Sequence, residues 1–279
     1  MLGIGLALAA SLCWGFADFI GGSKSRVLPV LVVVVCSQLV GLVWIGGVAL
    51  VAQDPVPGER EILLAVLSAL AGTTGLVCFF RAIAIGKMSV VVPIAATAAV
   101  VPVIVGIATG DRPSPLQLLG MVVALAGAVM ASREPGDEGE RGSLAAGVLL
   151  AALSAVLIGV FFLTIDSASD GGAVWASLVN RITSVTMLLV TAAVLRPKLA
   201  PARPHLPGLA IAGTLDVSAN LLFAAASTKG LISLVSVAGS LYPVLTVLLA
   251  RVLLHERVHR VQEAGVIAAL AGVVLIAAG

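Results

Sequence analysis

Apolar runs of about twenty residues alternate with short polar breaks along the whole chain. The runs cover 2–21, 29–51, 62–84, 88–108, 115–132, 143–164, 173–194, 207–228, 232–254 and 261–278. About twenty apolar residues of helix cross the ~30 Å hydrocarbon core of a bilayer, so the pattern predicts ten membrane-spanning helices. The breaks carry turn chemistry: Gly21-Gly22-Ser23-Lys24, Asp54-Pro55-Val56-Pro57-Gly58, Gly110-Asp111-Arg112-Pro113 and Asp170-Gly171-Gly172. The longest polar stretch, from Arg133 to Gly142, divides the chain near its middle, and Pro197, Pro201, Pro204 and Pro207 interrupt it before the eighth run.

The two halves repeat. At an offset of 145, Arg112, Gln117, Gly120, Ala124, Leu125, Ala126, Gly127 and Val129 match Arg257, Gln262, Gly265, Ala269, Leu270, Ala271, Gly272 and Val274. At an offset of 144, Gly86, Ser89, Val91 and Val100 match Gly230, Ser233, Val235 and Val244, and Gly3, Leu6, Ala7 and Gly15 match Gly147, Leu150, Ala151 and Gly159. The division is residues 1–132, a linker at 133–142, and residues 143–279, with five runs in each half. An odd count makes the second half enter the membrane from the opposite side. The predicted fold is therefore all-α and integral to the membrane, with ten transmembrane helices in two inverted five-helix repeats. Secondary transporters use that architecture, with the site near the midplane between the halves.

Composition closes off a soluble reading. Hydrophobic residues make up 60% and charged residues 11%, and the mean hydropathy is +1.17. Soluble domains carry roughly 25% charged residues, so this chain has too few polar groups to cover itself. A net charge of +2 with no basic run gives no footprint for nucleic acid. Cys13, Cys36 and Cys78 sit singly in apolar runs and read as inert thiols. Residues 1–21 lack a basic leader segment and read as a retained first span. Ten of the sixteen Lys and Arg residues lie in loops after odd-numbered runs and three after even-numbered ones. By the positive-inside rule this count places both termini outside.

Charged groups in mid-membrane call for a partner or a water-filled cavity. Arg181 lies eight residues past Ala173, about 12 Å deep, and Asp216 nine past Pro207, about 13.5 Å deep from the opposite face. In antiparallel neighbours these depths nearly coincide, so the two pair, directly or through Asn180 or Asn220. The pair either fastens spans seven and eight or serves a substrate or proton. Asp18, beside Trp14 and Gly15, either reaches the headgroups or faces a central cavity and binds a cationic group or a proton. The stretch from Gly230 to Thr246 mixes apolar residues with Gly, Ser and Pro. Ser236, Gly239, Ser240 and Pro243 share one helix face with Tyr242 to its side, which either permits close helix contact or lines a solute path. Ser89, Pro93, Ala96 and Thr97 are its weaker counterpart. Arg81 and Arg251 read as interfacial, and Asp166 as a loop residue. His205, His255 and His259 fall in loops, and no third ligand completes a metal site. Spans one, three, four, six, eight and nine are expected around the centre, with five and ten as peripheral packing helices.

Several of these features resemble a known family. Trp14-Gly15 in the first span, Gly-x-x-Ser opening spans four and nine, Leu241-Tyr242-Pro243-Val244, and His255-Glu256-Arg257 leading into Gln262-x-x-Gly265 resemble the EamA family of the drug/metabolite transporter superfamily, as two repeats over the whole chain. The first repeat departs from it: Ala98-Ala99 stands where the second has Tyr242-Pro243, and Asp111 stands opposite Glu256. The resemblance implies a ten-helix carrier in the cell membrane, an exporter of a small metabolite, amino acid or drug-like solute, with termini inside. The expectation is alternating access coupled to protons through Asp216 or Asp18, without cofactor or metal, in a monomer or homodimer. A channel or scaffold is the alternative, and a membrane-embedded lipid-modifying enzyme a further one. No clustered acidic, His or Ser motif supports catalysis.

Overall fold

A computed structural model describes every residue except 26, 53–55, 86–90, 92–93, 132–140, 197–202, 243, 246–248 and 250–259, and except the side chains of 131, 141–145, 203 and 277. Among the described residues there are ten α-helices and no strand. They are α1 (Leu2–Ser25), α2 (Val30–Ala52), α3 (Glu59–Ile85), α4 (Val100–Thr109), α5 (Pro115–Ala131), α6 (Arg141–Ala168), α7 (Ala173–Leu195), α8 (Leu206–Ser227), α9 (Ile232–Gly239) and α10 (Arg260–Ala278). Six of them, α1–α3 and α6–α8, are long and apolar enough to cross a membrane. The ends fall within a few residues of the apolar runs, and Asp166 belongs to α6 rather than to a loop.

Local chemistry sets the boundaries. Before α5, the Ser114 and Gln117 side chains exchange bonds with each other's backbone N–H, at 3.2 Å and 2.9 Å, and Pro115 takes the first helical position. This is the capping box, with a proline where its missing N–H does no harm. Gly110 ends α4 at φ 128°, in the region where glycine is strain-free.

Runs four and nine are not single helices. A 3₁₀ turn at Ala96–Ala99 leads into α4, and α9 stops at Gly239, followed by a turn through Leu241 before Tyr242. Pro243, just downstream of this turn, lies outside the described residues. The α9 N-terminus receives a partner from far away: the Asp111 carboxylate accepts the Ser233 N–H at 2.9 Å. An acidic oxygen there satisfies an orphan donor and complements the helix dipole.

Packing follows the repeat. Pairing each helix with the one five later, α3 against α6 becomes α8 against α1, α2 against α8 becomes α7 against α3, and α1 against α9 becomes α6 against α4. The pairs α2–α7, α4–α9 and α5–α10 map onto themselves. The last is the tightest. A Cβ on Gly120 would lie 2.8 Å from the Gly272 carbonyl, and one on Gly127 2.7 Å from the Gly265 carbonyl. Gly120 and Gly127 are the repeat equivalents of Gly265 and Gly272, so each glycine meets the counterpart of the other. Only an antiparallel crossing about a twofold axis does this. The absent side chains let the backbones approach, as in other membrane helix pairs. The Ala-rich core around Trp14, Phe161, Phe162 and Phe223 lies between α1, α6 and α8.

Candidate functional site

The long helices of both halves enclose a cavity of about 80 Å³. At ~10–15 Å³ per water in that measure, it holds roughly five to eight water-sized groups. Trp14 and Asp18 of α1, Gln38 of α2 and Thr73 and Phe79 of α3 line it from the first half. Phe161 and Phe162 of α6, Asn180 and Ser184 of α7, Asp216 and Asn220 of α8, and Tyr242 line it from the second. Helices α5 and α10 contribute nothing to the lining.

One wall is built on a buried ion pair. Arg181 is only 1% exposed, and its Nη2 donates to Asp216 Oδ2 at 2.8 Å while Nη1 donates to Gln38 Oε1. The pairing foreseen from matched depths is thus direct, and α2 supplies a third member. Two glycines admit so large a side chain: a Cβ on Gly41 would lie 3.4 Å from the guanidinium carbon, and one on Gly213 would run into the Ser37 carbonyl of α2. Taking both charges out of water costs several kcal/mol each, about balanced by their attraction and the added hydrogen bond. The Asp216 carboxylate is 22% exposed, so one end of the pair reaches the cavity and the other does not.

Around the ion pair, polar side chains are tied to one another across helices. Trp14 Nε1 donates to Asn220 Oδ1 at 3.0 Å, joining α1 to α8. Asn180 Nδ2 donates to Ser68 Oγ at 2.7 Å and Thr73 Oγ1 to Ser184 Oγ at 2.6 Å, joining α3 to α7. Ser154 Oγ donates to the Gly75 carbonyl at 2.8 Å, joining α6 to α3. Aromatic rings also meet the cavity: Trp14, Phe79, Phe161 and Phe162 are in its lining, with Phe223 buried behind them. Trp14 lies 5.7 Å from Phe162 and 5.6 Å from Phe223 between ring centres, and Phe162 stacks on Phe223 at 4.6 Å.

Of the residues singled out from sequence, Trp14, Asp18, Asp216, Asn220 and Tyr242 line the cavity, and Arg181 stands directly behind Asp216. Ser236 and Ser240 are fully buried and away from the lining. Ser240 Oγ donates to the Val237 carbonyl, and Gly239 faces the Phe223 and Trp14 rings, so this face of α9 makes close helix contact. Thr97 is exposed and donates to the Ile94 carbonyl of its own turn. Ser89, Pro93, Arg251, His255, Glu256 and His259 lie outside the described residues. Gln38, Thr73 and Ser184 were not anticipated. Each belongs to an adjacent polar pair inside an apolar run, Ser37-Gln38, Thr73-Thr74 and Thr183-Ser184, and the pair is the signal that marks it. No group of three or more His, Cys, Asp and Glu side chains with metal-site geometry occurs among the described residues.

These features define an all-helical, multi-pass membrane protein with a charged cavity between two equivalent halves. The EamA-like transporter family matches residues 1–133 and 145–278, one copy to each half. The chain therefore belongs to the EamA-like transporter family. A solved crystal structure, described only as that of a protein, superposes with a TM-score of 0.80 at 15% identity, covering 98% of this chain and 95% of the other. That likeness concerns the fold alone. Among curated proteins, none matches the sequence.

Proposed function

We propose that the protein is a secondary transporter of the cell membrane, with ten membrane-crossing segments in two inverted five-helix halves, 1–132 and 143–279, joined by 133–142. It exports a small metabolite, amino acid or drug-like solute by alternating access. The observation that carries the reading is the cavity: both halves line it, two carboxylates and several amide and hydroxyl groups face it, and the family is one of transporters. The swapped glycine contacts of α5 and α10 support the inverted relation. Rocking one half against the other exchanges each contact for its repeat counterpart, and the breaks near Ala96–Ala99 and Gly239 give the bending points. Asp18 or Asp216 carries the coupled proton, and Trp14, Asn220 and Tyr242 contact the solute.

Two measurements test this. Cells lacking and overproducing the protein are compared for metabolites accumulated in the medium, and the solute so found is loaded into proteoliposomes. Saturable efflux that rises with solute on the far side, accompanied by proton movement, is expected. Efflux that is linear in concentration and indifferent to the far side identifies a channel and overturns the carrier reading.

A further inference from the structure

The charge and hydrogen-bond inventory of the cavity selects a class of solute. Asp18 and Asp216 are the only ionisable acids in the lining, and no Lys, Arg or His side chain joins them among the described residues. Arg181, the nearest cation, is 1% exposed and committed to Asp216 and Gln38. Its Nε–H is buried without a partner among the described residues, and no atom of Arg181 belongs to the lining. Two carboxyl groups against one guanidinium leave one carboxyl without a cationic partner among the described residues.

The neutral polar groups of the lining are amides and hydroxyls, several of them tied to protein partners. The Trp14 N–H, one Asn180 N–H and the Thr73 O–H are already given to protein acceptors. Asp18 receives no hydrogen bond and makes no ion pair among the described residues, and Asp216 Oδ1 is likewise without a donor while Oδ2 holds Arg181. The Asp18 carboxyl and Asp216 Oδ1 stand ready to accept N–H donors from a solute, and with no cation in the lining a positive charge answers them best. The Trp14, Phe79, Phe161 and Phe162 rings in the lining suit an apolar body. Aromatic faces attract a cation as well, so the rings and the carboxylate favour the same ligand.

We infer that the site takes a small organic monocation, a primary or secondary ammonium on a compact apolar or aromatic body, with the ammonium on Asp18. This deepens the transporter reading and rests on it for the solute's passage, though not for its binding. Room for roughly five to eight water-sized groups fits a body no larger than one ring.

Matched one-ring probes separate the possibilities. Benzylammonium, benzoate and benzyl alcohol share a body and differ in charge. Trp14 lines the cavity, so its fluorescence in the full-length Trp44→Phe, Trp175→Phe protein, purified in nanodiscs, reports occupancy. Saturable quenching by benzylammonium is expected, with at least tenfold weaker or no response to benzoate and benzyl alcohol. Asp18→Asn should weaken the benzylammonium response at least tenfold, and Asp18→Glu should restore most of it. That rescue distinguishes lost recognition from lost folding. Benzoate binding as well as benzylammonium, or Asp18→Asn binding with unchanged affinity, overturns the inference. Transport is scored separately in proteoliposomes. Charge-selective binding without flux refutes the carrier reading and leaves the monocation site standing. Saturable flux of another solute, with no binding of benzylammonium, refutes the monocation site and leaves the carrier.

Discussion

Removing one member of the Arg181–Asp216 pair should do more harm than removing both. Consider Arg181→Met, Asp216→Asn and the double variant, chosen to keep side-chain volume so that cavity formation does not dominate. Asp216→Asn leaves a guanidinium that is 1% exposed facing two neutral amide oxygens. Breaking a buried pair from one side costs about 3–5 kcal/mol, and the near-total burial of Arg181 puts this variant in that range. Arg181→Met leaves a carboxylate that is 22% exposed and turns toward the cavity, where water reaches it. Its cost is nearer that of one charged hydrogen bond, about 1.5–3 kcal/mol. The double variant leaves neither charge unpaired and only Gln38 short of a donor, so about 2 kcal/mol is expected.

The single costs sum to about 4.5–8 kcal/mol against about 2 for the double variant, so the expected coupling is about 2.5–6 kcal/mol, near or above the top of the range for residues in contact. At 1.4 kcal/mol per tenfold, this is at least roughly sixtyfold in the unfolding constant. Reversible unfolding in mixed micelles, followed by far-UV circular dichroism, reads it directly. Costs that add in the double variant, or an Asp216→Asn variant milder than Arg181→Met, would refute the reasoning. If Asp216 also carries the coupled proton, the double variant folds yet fails to concentrate solute in proteoliposomes.

Three further outcomes follow from single contacts. Gly127→Ala should destabilise by about 1–3 kcal/mol, because its Cβ would strike the α10 backbone at Ala269; Gly5→Ala, with nothing within 4 Å, should be neutral or gain up to about 1 kcal/mol, and thermal unfolding compares them. Asp111→Ala should cost about 0.5–2 kcal/mol through the lost α9 N-terminal acceptor, while Asp111→Asn keeps most of it; hydrogen exchange at the Ser233 amide is the local check. Trp14→Phe keeps a ring against Phe162 and Phe223 but loses the bond to Asn220, at about 1 kcal/mol, and should slow efflux by changing a cavity-lining contact; unchanged efflux would place Trp14 outside the solute's path.

The periodic apolar runs made the six long helices legible to within a few residues, because a membrane span admits no other regular structure for a single chain segment. The ion pair was legible for a related reason: depth in a helix of known rise is arithmetic, and Arg181 and Asp216 had few alternatives as partners. What stayed hidden depends on rotation about helix axes. Spans two and seven were not expected at the centre, yet Gln38 and Asn180 bring them there. Hydrophobicity on every side of a span conceals which face looks inward, and only its few polar residues disclose it. The same ambiguity governs Ser236 and Ser240. A run of small residues serves close packing and cavity lining equally well from sequence, and here it lies against Phe223 and Trp14.

The repeat is faithful where backbones touch and unfaithful where the cavity's charges sit. Gly120, Gly127, Gly265 and Gly272 correspond pairwise, and so do the helix contacts they permit. At the offset of 144 that aligns runs one and six, the counterpart of Asp18 is Phe162, and those of Arg181 and Asp216 are Ser37 and Gly72, none of which carries a charge. Twofold packing lets two conformations that exchange equivalent contacts lie close in energy, which a rocking carrier needs if neither state is to trap it. A site obeying the same symmetry would offer a solute two equal orientations. Asp18 and Asp216 have no acidic counterparts, so the acids of the cavity break the repeat that the packing helices keep. Under the proposed alternating access, an asymmetric solute would then have one preferred pose, its cationic end on the same carboxyl groups in both states.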